Sequence, residues 1–158
     1  MILVALGTHH QPFDRLVIAA DRAAVELGER VVIQRGATRF PAPHAEVFDA
    51  AAPEAFEALL REARVVVLHA GSSSFLQARG LGRRPIVVPR RPDHGEHVDD
   101  HQVRFARSLP ADEAAVVEPE ELVDAIRSHR EVRTEGEDRS RAFCERFGPL
   151  VAALVRKR

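Results

Sequence analysis

The sequence lacks tryptophan and tyrosine and has one cysteine and one methionine. A single cysteine, Cys144, excludes an internal disulfide and fits a reducing compartment. It sits in a helical pattern with no reactive context and reads as packing. No apolar run approaches the ~20 residues a membrane span needs, so a lipid substrate would be met from the water side. Net charge is also missing: Lys+Arg is 23, Asp+Glu is 24, and the balance is −1. That excludes nucleic-acid binding through bulk charge. Lys157 is the only lysine, so nearly all positive charge is arginine. Guanidinium forks suit phosphate and carboxylate, but a GC-rich genome produces the same bias. The N-terminal MILVALG has no basic n-region or long apolar h-region and reads as a first strand.

What is present is the composition of one soluble globular domain: 158 residues, 45% hydrophobic and 30% charged. Apolar strand-like runs alternate with helical patterns throughout. Strands are expected at 2–6, 30–34, 65–69 (VVVLH), 85–89 (PIVVP) and 114–117, with a short extended piece near Val47 and Phe48. Helices are expected at 13–27, 53–63, from GSSS to about Leu81, 99–109 and 119–129. Pro12 fits the first turn of the first helix and Gly28 its stop. A charged stretch, 130–139, leads to a last helix over about 141–157 that is expected to pack outside the core. Such alternation, with buried-type strands, predicts an α/β domain: an open parallel sheet covered by helices on both faces, Rossmann-like.

In open parallel sheets ligands bind beyond the C-terminal strand ends. Three polar segments fall there: Gly7 to Gln11, His69 to Ser74, and Arg90 to Gln102. In the second, a glycine between strand and helix allows close backbone approach. The helix N-terminus then offers N–H groups to a phosphate, and Ser72, Ser73 and Ser74 add hydroxyls. The plainer alternative is that the serines only cap the helix. Neither G-x-G-x-x-G nor G-x-S-x-G is present, so a dehydrogenase-type dinucleotide site and a hydrolase elbow are both unsupported.

The third segment, PRRPDHGEHVDDHQ, gathers His94, Glu96, His97, Asp99, Asp100 and His101. Imidazoles and carboxylates are metal ligands, but the spacing matches no standard zinc signature. The same groups would also serve sugar hydroxyls, or simply form a solvated loop capped by Asp99 or Asp100. In the first segment, Thr8 and His9 are placed to reach a phosphate or sugar, and His9 or His10 is a candidate general base.

With GTHHQPFDRL, HAGSSSF, PIVVPRR and GEHVDDHQ in this order, the chain resembles the C-terminal domain of glycosyltransferase family 28 over about residues 1–127. More narrowly, it looks like the soluble subunits of bacterial two-component transferases that build capsule and exopolysaccharide. That resemblance implies one half of a GT-B enzyme, binding a uridine diphosphate sugar. It implies a membrane-anchored partner subunit that presents a polyprenol-linked acceptor. Gly71 to Ser74 would hold the diphosphate, with Gly7 and Thr8 opposite, and His69 among the donor contacts. Asp100, His101 and Gln102, with His97, would meet the donor sugar; Arg90 would lie beside the nucleotide. His9 and Asp100 are the candidate catalytic residues, although the missing half commonly supplies the base. No cofactor, metal or nucleic acid is expected. The protein would be cytoplasmic, drawn to the inner membrane face by its partner; homodimerisation is left open.

Two departures from the family pattern stand out. Gln77 occupies a position where the peptidoglycan relative has a ribose-binding glutamate, which weakens the case for uridine selectivity. HAGSSS also lacks a second glycine seen in many relatives. The competing readings are a non-catalytic accessory subunit and a metal-dependent hydrolase built on residues 94–101.

Overall fold

A computed structural model describes residues 1–129; the expected charged stretch and last helix, with Cys144, lie outside them. Six parallel strands form one sheet in the order β3-β2-β1-β4-β5-β6: β1 (Ile2–Ala5), β2 (Val31–Gln34), β3 (Glu46–Phe48), β4 (Val65–His69), β5 (Ile86–Val88) and β6 (Ala115–Val116). The helices are α1 (Asp14–Leu27), α2 (Pro53–Glu62), α3 (Ser72–Gly80), α4 (His101–Ser108) and α5 (Leu122–Ser128). None of these helices is long and apolar enough to cross a membrane.

The period-two geometry of β1 explains the layering. Ile2, Val4 and Leu6 enter a cluster with Leu16, Val17 and Ala20 of α1 and Leu122 and Ile126 of α5. Leu3 and Ala5 enter another with Leu60 of α2, Phe75 and Ala78 of α3, and Ala106 of α4. A strand buried on both faces can be apolar at every position, and β1, β4 and β5 are read that way from sequence. Register then places the loops. Ala5 lies beside Gln34 on one side and Leu68 on the other, and His69 lies beside Val88. The chain order reverses between β1 and β4, so their C-terminal ends open the crevice where such sheets bind ligands.

Element ends differ from expectation for identifiable reasons. β5 is only Ile86–Val88 because Pro85 and Pro89 bracket it and cannot donate to the ladder. Phe13 stands outside α1 as its N-cap, with φ −132°. Its N–H goes to the hydroxyl of the buried Thr38 (2.9 Å). Gly28, at φ 61°, closes α1 through a bond to the Ala24 carbonyl, as the sequence suggested. The helix expected over 119–129 divides into a 3₁₀ turn, Pro119–Glu121, and α5. Reciprocal bonds between Glu118 and Glu121 tighten that first turn.

Candidate functional site

Three loops meet at the rim: the one after β1, the β4–α3 turn, and the long connection from β5 to α4. Between the first two sits His69. Its Nδ1 lies 3.1 Å from the Ala5 carbonyl oxygen. A carbonyl can only accept, so Nδ1 carries the proton and Nε2 is bare. Burial pushes the imidazole pKa down to about 4, and Arg90, His97 and His9 act in the same direction. The ring is therefore neutral at pH 7. A Cβ placed on Gly7 would lie 2.4 Å from Nε2, and one on Gly71 would lie equally close at 2.4 Å. The two rim glycines flank one imidazole. From sequence, Gly71 was expected to admit a ligand; the neighbour it demonstrably makes room for is His69.

Gly71 is the N-cap of α3, and no side chain caps this helix. The serines occupy its first turn, which corrects the plainer expectation that they are caps. Ser74 Oγ instead donates back to the Gly71 carbonyl (3.1 Å), while Ser72 and Ser73 are exposed. First-turn N–H groups have no intrahelical acceptor, so this end of α3 retains donors and the positive end of its dipole. Thr8 is exposed on the adjoining loop.

Arg90 was expected beside the nucleotide, and its side chain turns out to have structural work of its own. Its side chain is fully buried. Nη2 donates to the Leu6 carbonyl (2.9 Å); Nη1 donates to those of Gln11 (2.8 Å) and Glu96 (3.1 Å), with Pro12 at 3.4 Å. The guanidinium carbon lies 5.0 Å from the centre of the Phe13 ring. Burial lowers its pKa to about 10, which leaves it charged at neutral pH. Both Nη atoms are thus taken up by protein carbonyls, while the buried Nε has no hydrogen-bond partner. Arg90 ties the β1 loop to the β5–α4 loop.

Sequence reasoning missed the rest of this tie. Buried Glu96 takes both Arg15 Nε (2.8 Å) and Nη2 (3.0 Å), and it accepts the Arg91 backbone N–H (2.9 Å). Gln11 Nε2 donates to the Gly95 carbonyl (3.1 Å). Arg15 is the second residue of α1 and Glu96 sits inside the quoted GEHVDDHQ, 81 positions later. Glu96 was read with the His/Asp loop as a possible metal or sugar ligand, and no local signal paired it with Arg15. Gln102, expected at the donor sugar, is buried, and its Oε1 accepts the Arg90 backbone N–H (3.3 Å).

Above this base lies a group of imidazoles. His9 stacks on His97 with centroids 4.2 Å apart and planes at 13°. His10 adjoins His9 at 4.4 Å, and His101 meets His97 edge-on at 4.5 Å. Burial holds the His97 pKa down, and neighbouring His9 and His101 lower it further. His9 Nε2 is 2.8 Å from Gln11 Oε1. The Gly95 bond fixes that amide's orientation, so His9 Nε2 carries the proton and Nδ1 is the basic atom. Asp99, not Asp100, receives the first N–H of α4, from His101 at 3.0 Å. His97, Asp99 and His101 bring one donor atom each to within 4.8 Å of one another.

Two expected residues lie apart from this group. Asp100 is exposed and pairs with Arg104 one turn along α4 (3.0 Å). Gln77 is exposed and lines a groove of about 380 Å³ with Pro53, Glu57, Leu76, Gly80 and Leu81, between α2 and α3.

The model of the glycosyltransferase family 28 C-terminal domain matches residues 1–152. Among solved structures, the chain is similar to CalG4, the calicheamicin glycosyltransferase, with 20% identity and TM-score 0.55 over 80% of this chain and 33% of that one. The glycotransferase of kitacinnamycin gives 22% and 0.53 over 79% of this chain and 33% of that one. SnogD from Streptomyces nogalater gives 16% and 0.50 over 87% and 36%. At these identities the likeness is one of fold: an open, Rossmann-like parallel sheet matching one half of a GT-B glycosyltransferase. The chain spans about a third of the length of each.

Proposed function

The chain belongs to the glycosyltransferase family 28 C-terminal domain family, and from that premise we propose that it binds the nucleotide-sugar donor, a uridine diphosphate sugar, for transfer to a polyprenol-linked acceptor. The observation that carries this reading is the uncapped N-terminus of α3 at the switch point between β1 and β4. Its N–H groups, with the Ser72 and Ser73 hydroxyls, would hold the diphosphate; Gly7 and Thr8 would face it. Departure of a nucleoside diphosphate builds negative charge, and fixed helix donors stabilise that charge without reorganising. With both Arg90 Nη atoms committed to carbonyls, this helix end would be the main source of such stabilisation among the described residues.

The donor sugar would then meet the β5–α4 loop, where His97, His101, Gln102 and Asp100 supply donors and acceptors. An attacking hydroxyl needs a base. On this chain the oriented candidate is His9 Nδ1, with Asp100 at the far side of the loop. A GT-B site closes between two domains, and the described residues form one. The acceptor half would come from a separate membrane-anchored protein, which would bring this chain to the membrane.

Calorimetry of the purified chain with UDP and a panel of UDP-sugars tests the reading. Saturable binding that Ser73→Ala weakens is expected. No binding by any nucleotide, with or without the partner, would sink it. A catalytic role is separated from an accessory one by Gln102→Ala and Ser73→Ala: loss of transfer with the complex still formed is the catalytic outcome.

A further inference from the structure

One cluster does more than a sugar site requires. His97, Asp99 and His101 converge on a common point, and their donor atoms lie within 4.8 Å of one another. We propose that His97, Asp99 and His101 form a binding site for one zinc-class transition-metal ion. This goes beyond the transferase reading and stands without it.

The donor set fits the ion class. Two imidazoles and one carboxylate suit zinc, nickel or copper, whereas magnesium prefers an octahedron of oxygens. Zinc bonds of about 2.0–2.1 Å at tetrahedral angles place ligand atoms about 3.4 Å apart. His97 Nδ1 and Asp99 Oδ1 are 3.5 Å apart, which already matches. His101 Nδ1 is 2.5 Å from the same oxygen, a hydrogen-bond distance that must open by about 1 Å to reach the separation zinc requires. Both side chains are about half exposed, so a small rotation suffices. Three protein ligands leave a fourth position for water.

The fold also holds the least mobile ligand in place. His97 is buried beneath the stacked His9 ring, and Gln11 anchors the edge of the His9 ring through Nε2. The preceding residue, Glu96, is fixed by Arg15 and the Arg91 N–H, and its carbonyl by Arg90. Only Asp99 and His101 need adjust, and the adjoining Asp100 is engaged by Arg104. Without metal the same Asp99 oxygen simply receives the His101 ring and backbone N–H, an ordinary turn. The test must separate these two states.

The test titrates zinc alone into the full chain, reading heat by calorimetry and histidine ring nitrogens by NMR. A one-to-one isotherm is expected, with Nδ1 of His97 and His101 shifting and exposed His44 unmoved. Excess magnesium should not displace the ion. His101→Ala, at an exposed position, and Asp99→Asn should each abolish tight binding while the thermal midpoint of the metal-free protein stays near that of the parent. His44→Ala should bind as the parent does. No saturable heat, or isotherms unchanged in both His101→Ala and Asp99→Asn, would overturn the site. Nucleotide is absent throughout, so failure here and failure of UDP binding remain separate results.

Discussion

The β4–α3 turn and the β5–α4 loop adjoin at the same rim but are made differently. The turn is shaped by absence: Gly7 and Gly71 give up side chains so that one neutral imidazole can stand between them. The loop is shaped by buried charge: Arg90 on four carbonyls, and Glu96 on Arg15 and the Arg91 backbone. A turn built from missing atoms fails when atoms are added. A loop built from charge fails when charge is removed. The difference teaches that the turn keeps its helix-end N–H groups free of side-chain caps, while the loop spends its strongest group on holding itself in place.

That contrast can be broken most severely at Arg90. Arg90→Ala leaves several buried carbonyls without a donor and should cost about 3 kcal/mol or more in urea denaturation. Arg90→Lys should recover only part, because one ammonium cannot reach the same fork of acceptors. A loss below about 1 kcal/mol for the alanine variant would mean the loops are held by other contacts.

Next comes acid. His69 is held at about 4 when folded, below its ordinary 6.5. Between those values the unfolded chain binds more protons than the folded one. Stability therefore falls as pH drops from 6.5 toward 4, by up to about 3 kcal/mol. His97 is shifted in the same direction. Denaturation across pH 4–7 should show this slope, and His69→Gln should flatten most of it. An unchanged slope in that variant would transfer the effect to His97 and the surface.

Gly71→Ala should cost about 1–3 kcal/mol, since its Cβ meets the imidazole. His69→Ala in the same chain should relieve the overlap, and a double-mutant cycle would measure the coupling. Additive losses would show that the imidazole is not what requires the glycine. Smallest is Asp100→Asn: its pair with Arg104 is exposed and worth at most about 0.5 kcal/mol. Any larger effect, seen only in transfer, would then mark Asp100 as a sugar or catalytic contact.

Much of this was legible in the chain itself. The strands of β1, β4 and β5 are continuous apolar runs, and their alternation with helices dictated a parallel sheet and hence the rim. Gly28 marked the end of α1 through backbone chemistry alone, whereas the two prolines were read into β5 and in fact bracket it. What periodicity could not reveal was pairing across the sequence. Arg15 and Glu96 are 81 positions apart and meet only because β1 and β5 flank β4. Arg90 was placed beside the nucleotide by its position in the family resemblance, and its burial among carbonyls of distant segments was not visible from that position. Gly71 was identified as a position where backbone approaches a ligand closely; that the same missing side chain also makes room for the His69 ring depends on β1 and β4 lying side by side, which no local pattern shows.

The Arg90 tie also bears on the order in which the molecule can assemble. Its nitrogens reach Leu6 and Gln11, 84 and 79 positions earlier in the chain. Contacts that distant close late, after the loop-closure cost has been met by the sheet between them. A nascent chain that has not yet extended past β5 can form β1 and the turn at Gly7 but cannot fasten the rim. The fastening of the rim would therefore report completion of the domain: a chain stopped before β5 lacks the group that joins the β1 loop to the β5–α4 loop.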